Sequence, residues 1–218
     1  MSFLVDWQIR ALSIDVVGER GMIASPMPYN PHYPLLSPFS EGVQDDGVIS
    51  YGLTSSGYDL RLGNKVKIFK STFGEMIDPK ATRREAKERE TYFRRVFDDI
   101  DNIKDGQYVV LPPHSYLLAY SKEYIRMPRW LSATCVGKST YARCGVIVNC
   151  TPAEPDWEGH LTIEIGNLTG NQTALYCGEG IAQMRFETLN GVVEKSYRDK
   201  DGKYQAQGAE PVAARVKE

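Results

Sequence analysis

"HLTIEIGN", residues 160–167, alternates apolar and polar side chains without a break. Successive strand residues point to opposite faces, so Leu161, Ile163 and Ile165 share one face and Thr162 and Glu164 share the other. The same short, β-rich texture recurs outward from it. "YVVLPPHSYLLAYS" (108–121), "GVIVNC" (145–150), "TALYCG" (173–178) and "IAQMRFE" (181–187) read as strands separated by turns. Upstream, "GVISYGL" (47–53) and "GYDLRLGNKVKIFK" (57–70) read the same way, punctuated at Ser55-Ser56-Gly57 and Gly63-Asn64. That spacing predicts a mainly β sandwich or barrel-like core.

The remaining stretches carry weaker signals. Residues 3–13 read as a short amphipathic helix with Phe3, Trp7, Ile9 and Leu12 as its apolar positions. Residues 24–48 read as a proline-rich loop packed on a surface, because proline fixes φ and removes a donor. Residues 79–99, "PKATRREAKERETYFRRVFDD", form the best helical pattern, but charge dominates it. It reads as a solvated helix or an inserted arm in preference to a binding site. The polar tail, 197–218, is either disordered or an arm that orders on a ligand.

The chain has 218 residues, 42% hydrophobic and 25% charged, which suits a single soluble domain over 1–218. Its net charge of −2 argues against a general nucleic-acid coat, which needs a basic surface. No apolar run approaches the roughly 20 residues of a membrane helix. The start, "MSFLVDWQIRAL", lacks a signal-peptide layout, so a cytoplasmic protein without membrane partners is expected. Cys135, Cys144, Cys150 and Cys177 form no C-x-x-C pair and read as buried thiols in a reducing compartment.

Two stretches carry chemistry. "VGKSTYARCG" (136–145) puts Lys138, Ser139, Thr140 and Arg143 within six residues. A P-loop needs a glycine at position 132, where this chain has Ser132, and a following helix, where "CGVIVNC" looks like a strand. The turn is therefore a basic surface turn or a local phosphate cradle of another kind. Downstream, "CTPAEPDWEGHLTIEIGN" carries Glu154, Asp156, Glu158 and Glu164. If the face that holds Thr162 and Glu164 is solvent, Glu164 is an ordinary surface residue. If that face lines a pocket, desolvation raises the carboxyl pKa and Glu164 can act as both base and acid near neutral pH.

The run "GKSTYARCGVIVNCTPAEPDWEGHLTIEIGN" (137–167) resembles the signature of the dCTP deaminases, in the dCTP deaminase/dUTPase superfamily. "ISYGLTSSGYDLRLGN" (49–64), "SKEYIRMP" (121–128), "EGIAQMRFE" (179–187) and "GKYQAQG" (202–208) resemble further motifs of that family, in order, so the resemblance runs from about Val48 to Gly208. The resemblance implies a homotrimer of distorted β-barrel or jelly-roll-like subunits with sites between subunits. It implies deamination of dCTP to dUTP and ammonia, Mg²⁺ carried mainly by the triphosphate, and dTTP as a feedback inhibitor. Position by position, Glu164 falls on the catalytic glutamate. Lys138, Ser139, Thr140 and Arg143 fall on the nucleotide-binding and catalytic turn. Thr162 and Ile163 fall on the strand that reads the base, and Gln183, Tyr197, Lys203 and Gln207 on sugar- and triphosphate-contacting positions.

Many nucleobase deaminases use zinc with an H-x-E and P-C-x-x-C signature. The histidines here, His32, His114 and His160, sit in no H-x-E, and P-C-x-x-C is absent, so a zinc-independent route with Glu164 moving the protons is expected. "AEPDWEG" (153–159) resembles the dUTPase segment whose aspartate activates water, with Glu154 at that aspartate and "GKYQAQG" replacing the glycine-rich terminal motif. A plain dUTPase therefore ranks low. A bifunctional enzyme that releases dUMP, using Glu154 or Asp156, stays open. So do a nucleotide-binding regulator without turnover and a preference for modified cytosine.

Overall fold

The structure is a computed structural model and describes residues 2–14, 33–70 and 76–216. It is mostly antiparallel β-sheet with a few short helices. In chain order the elements are α1 (Asp6–Ser13), β1 (Leu36–Ser37), β2 (Gly52–Thr54), β3 (Gly57–Arg61), β4 (Val66–Phe69), α2 (Ala86–Val96) and β5 (Phe97–Ile100). There follow β6 (Tyr108–Leu111), β7 (Tyr116–Arg126), β8 (Leu131–Gly137), α3 (Ser139–Ala142), β9 (Val146–Asn149), β10 (Glu158–Asn167), β11 (Thr173–Tyr176) and β12 (Gly180–Thr188). The largest sheet runs β5-β4-β7-β10-β9, with β1 also on β7. A second sheet runs β2-β3-β12-β8, and β11 pairs with β6.

One continuous core joins the two larger sheets. Leu117, Ala119, Ile163 and Ile165 of the first sheet meet Tyr58, Leu60, Met184 and Phe186 of the second, all fully buried. Each Leu, Ile, Met or Phe among them contributes about 1.5–3 kcal/mol on burial. The alternation in β10 thus follows from one face packing on this core. Cys135 and Cys177 are buried as expected, but Cys150 is half-buried and Cys144 is exposed. Cys144 lies beyond the last residue of α3, whose core anchor is the neighbouring Tyr141.

Several boundaries differ from the sequence expectations. The first helix begins at Asp6 and not at residue 3: Phe3 lies before it, bridged to Glu187, and within α1 Ile9 and Leu12 are buried while Trp7 stands exposed, because only one face meets the core. The 79–99 stretch is not one helix. A 3-10 turn spans Ala81–Arg83, α2 follows, and Phe97 opens β5. Straight-chain Lys, Glu and Arg favour the helix, but Tyr92 and Val96, one turn apart, anchor it. Those two pack with Ala81, Phe97 and Leu118 in a second apolar cluster. Leu118 lies between Leu117 and Ala119 on β7, so this cluster covers the opposite face of the large sheet. The stretch is a packed wall and not a solvated arm. Of the proline-rich segment 24–48, residues 24–32 lie outside the described residues, and Leu35 and Leu36 are buried. No described helix is long and apolar enough to cross a membrane.

A buried ion pair ties the sheets together. Arg61, at the end of β3, donates from Nε to Glu123 of β7 at 2.6 Å and from its backbone N–H at 2.9 Å. The Glu123 side chain is 0% exposed and that of Arg61 12%. Glu123→Ala would leave the guanidinium buried and unpaired. It is expected to lower unfolding stability by about 3–5 kcal/mol, read from the urea midpoint at unchanged slope. A loss under about 1 kcal/mol, the surface-pair range, would show the pair to be dispensable.

Candidate active site

The outer face of β10 is where the chemistry collects. Thr162 and Glu164 point away from the core, opposite Tyr120 and Leu118 of β7. Over them lies a cavity of about 660 Å³, within the range of about 300–1,000 Å³ typical of small-ligand sites. Its apolar walls come from Phe93 and Phe97 of the α2–β5 segment and from Trp157 and Leu161, and its polar groups include Glu154, Glu164, Thr162 and Lys203. Glu164 therefore lines a pocket. It is half-buried, and burial pushes its carboxyl above the usual range while a hydrogen bond from Asn149 Nδ2 to Oε2 (3.0 Å) pulls it back.

The tail closes this cavity. Gln207 pairs with Gly159 in a parallel bridge, and His160 donates its backbone N–H to the Gln207 carbonyl at 3.0 Å. Thr162 Oγ1 donates to Gln207 Oε1 (2.7 Å) and accepts from the Val212 N–H (3.2 Å). Trp157 Nε1 donates to the Tyr204 carbonyl (2.8 Å), and the Tyr204 N–H donates to the Tyr197 hydroxyl (3.0 Å). Lys203 reaches the Arg215 carbonyl at 2.7 Å. Arg129 holds Asp199 at 2.6 Å and pulls its carboxyl down to about 2. These pairings lay the described part of the arm along β10 and over the cavity.

Gly159 makes the docking possible. Its φ is +146°, and a Cβ there would lie 2.7 Å from the Gln207 backbone nitrogen. Gly159→Ala is expected to push the arm off β10 and raise KM for nucleotide about tenfold, the loss of one to two hydrogen bonds. Steady-state kinetics read this directly, and an unchanged KM would separate the arm from binding.

The basic turn lies elsewhere in the chain. Buried Tyr141 anchors α3 by accepting the Tyr176 N–H at 2.9 Å. Gly145, at φ +75°, turns the chain into β9 where a Cβ would strike Thr169. Ser139, Thr140 and Arg143 are left exposed, with Arg143 Nη1 3.4 Å from Ser139 Oγ. Lys138 is turned inward and paired with Asp59, which also accepts from Gln183 Nε2 at 3.2 Å.

One chain therefore brings together Glu164, Thr162, Tyr197, Lys203 and Gln207. It does not bring Ser139, Thr140 or Arg143 to them, and Lys138 and Gln183 form a separate cluster around Asp59. The Ile163 side chain faces the core at 0% exposure, so any ligand contact falls to its backbone. Asn149, Asp59, Gly159 and Val212 escaped the sequence reading. Only the strand register exposes Asn149, directly across from Glu164. Asp156 is held by Ser196 (2.8 Å), Arg129 (3.5 Å) and Arg198 (3.7 Å), while Glu154 lines the cavity. His160 Nδ1 lies 2.9 Å from the Ser121 carbonyl, and His32 is outside the described residues.

Comparison with known proteins identifies the family. The chain is 46% identical over 173 residues to a dCTP deaminase of Chloroflexus aggregans, covering 79% of this chain and 86% of that one. It is 45% identical over 175 residues to a dCTP deaminase of Sulfurovum sp., covering 79% and 85%. The crystal structure of 2'-deoxycytidine 5'-triphosphate deaminase from Agrobacterium tumefaciens superposes with a TM-score of 0.54 at 21% identity, over 88% of this chain and 49% of that one. The chain thus spans about half the length of that solved protein, and the likeness there is one of fold. A family model described as dCTP deaminase-like matches residues 38–189, and the chain belongs to that family.

Proposed function

We propose that this chain deaminates dCTP to dUTP and ammonia without zinc. The observation that carries the reading is Glu164, a half-buried carboxylate on the polar wall of a nucleotide-sized cavity, with one oxygen held by Asn149. Deamination needs water to attack C4 of cytosine, a proton to reach N3, and the amine to leave as ammonia. Glu164 takes the proton from water, passes it to N3 and later assists the departing amine. A carboxyl raised by burial suits both halves of that traffic. Thr162, beside it on β10, faces the base, and Tyr197, Lys203 and Gln207 of the arm close over the sugar and phosphates.

Ser139 and Arg143 enter from a second copy of the chain. Their exposure, away from the cavity of their own chain, supports a site shared between subunits of a homotrimer with barrel-like protomers. In that arrangement Ser139 positions the water and Arg143 fixes the turn and the charge around Glu164. Mg²⁺ arrives on the triphosphate, whose oxygens serve as its main ligands. Cationic Lys203 on the cavity wall fits such a polyanion, and Mg²⁺ supplies further charge neutralisation there. A chain of this type works on free nucleotides in the cytoplasm, with dTTP competing for the same cavity.

The second reading, release of dUMP and pyrophosphate, rests on Glu154, which lines the same cavity. The test is purified protein with dCTP and Mg²⁺, with ammonia followed and nucleotides separated by chromatography. Ammonia matched by accumulating dUTP is expected. Ammonia matched by dUMP favours the second reading, and absence of ammonia overturns both.

A further inference from the structure

We infer that Asn149 is a positioning residue for Glu164, clamping one carboxylate oxygen so that the other is aimed at the reacting atoms. The inference rests on the reading of Glu164 as the proton carrier. β9 and β10 pair antiparallel with Asn149 directly opposite Glu164, flanked by the Val148–Ile165 pair, so the two side chains stand as neighbours on one sheet face. Asn149 Nδ2 donates to Oε2 at 3.0 Å, which leaves Oε1 for water and the base. A glutamate has three rotatable bonds, and a fixed partner removes most of that freedom before substrate arrives.

The clamp also sets when Glu164 is ionised. Burial favours the protonated form, whereas an N–H donor favours the carboxylate. Asn149 therefore keeps the base available to a lower pH than burial alone allows. Other titratable groups face the same space. Tyr116 of β7 and Cys135 of β8 feel the glutamate, and Cys150 adjoins Asn149. Glu154, Lys203, Tyr197 and Tyr204 lie around the cavity, with Asp78 and Tyr92 on the wall formed by the α2 region. Among the described residues, Asn149 is the side chain that hydrogen-bonds Glu164.

The test is the pH profile of kcat/KM for Asn149→Leu, Asn149→Asp and Asn149→Gln, run beside Glu164→Gln. Asn149→Leu keeps the size and removes the donor. It is expected to lower kcat at neutral pH roughly ten- to a hundredfold, the loss of one bond to a charged group, and to move the acid limb to higher pH. Asn149→Asp, nearly isosteric, moves the limb the same way by placing a like charge beside the base. Asn149→Gln returns the amide on a longer stem and recovers part of the rate. A merely structural role would lower the yield of folded enzyme and leave the limb in place. A limb unmoved in both the Leu and Asp variants, with Glu164→Gln inactive, overturns this inference and leaves the proposed function standing. An active Glu164→Gln overturns both.

Discussion

Glu164→Gln is expected to slow ammonia release from dCTP by about 10²–10⁴-fold, the usual contribution of a positioned general acid–base. The substitution keeps the size and shape of the side chain and can still accept the hydrogen bond from Asn149, so the cavity wall survives. What it removes is the ability to take a proton from water and deliver it to N3. Substrate binding is expected to hold within a few-fold, because Lys203 and the arm contacts around the cavity are untouched. The measurement is single-turnover ammonia release, with dCTP affinity by calorimetry on the same variant. Loss of rate at retained affinity marks a group that acts in the transition state. A rate within tenfold of the wild type would remove Glu164 from the chemistry.

Arg143→Ala should be nearly as damaging, although Arg143 is exposed and lies outside the cavity that Glu164 lines in its own chain. A guanidinium brings five donors in a fixed fork and a permanent charge. In the proposed site between subunits, its removal is expected to cost roughly a hundredfold or more in kcat/KM. Among the described residues its guanidinium approaches Ser139 Oγ at 3.4 Å, a weak surface contact, so protomer stability should change by less than about 0.5 kcal/mol. A large loss of activity at an unchanged melting temperature is thus the expected pair of results. A variant with full activity would leave the exposed turn without a catalytic role.

Much of the fold was legible because it rests on short-range alternation. Leu161, Ile163 and Ile165 are all buried, and a one-residue slip would turn all three to the other face. The strand at "LSATCVG" (131–137) escaped notice because Ser132, Ala133 and Thr134 blur its period, and pairing with β12 holds it instead. The 79–99 stretch misled because charge dominates it, while a few of its apolar residues, Tyr92, Val96 and Phe97 among them, make the contacts that place it. Glu164, Thr162 and the arm residues were legible through their resemblance to a family. Their convergence was not, since Gly159 meets Gln207 only through the docked tail. Asn149 carried no signal, because a polar residue at the end of an apolar strand is ordinary until the register sets it opposite Glu164.

The proposed division of the site between two copies can be tested by mixing. Arg143→Ala and Glu164→Gln, each inactive alone, are refolded together in equal amounts. Random assembly of subunits then gives about a quarter of the interfaces an intact Arg143 from one copy and an intact Glu164 from the other. Recovery of about that share of wild-type ammonia release is the expected result. A mixture as inactive as its components, with mixed oligomers confirmed by differently tagged subunits, would contradict a site shared between chains.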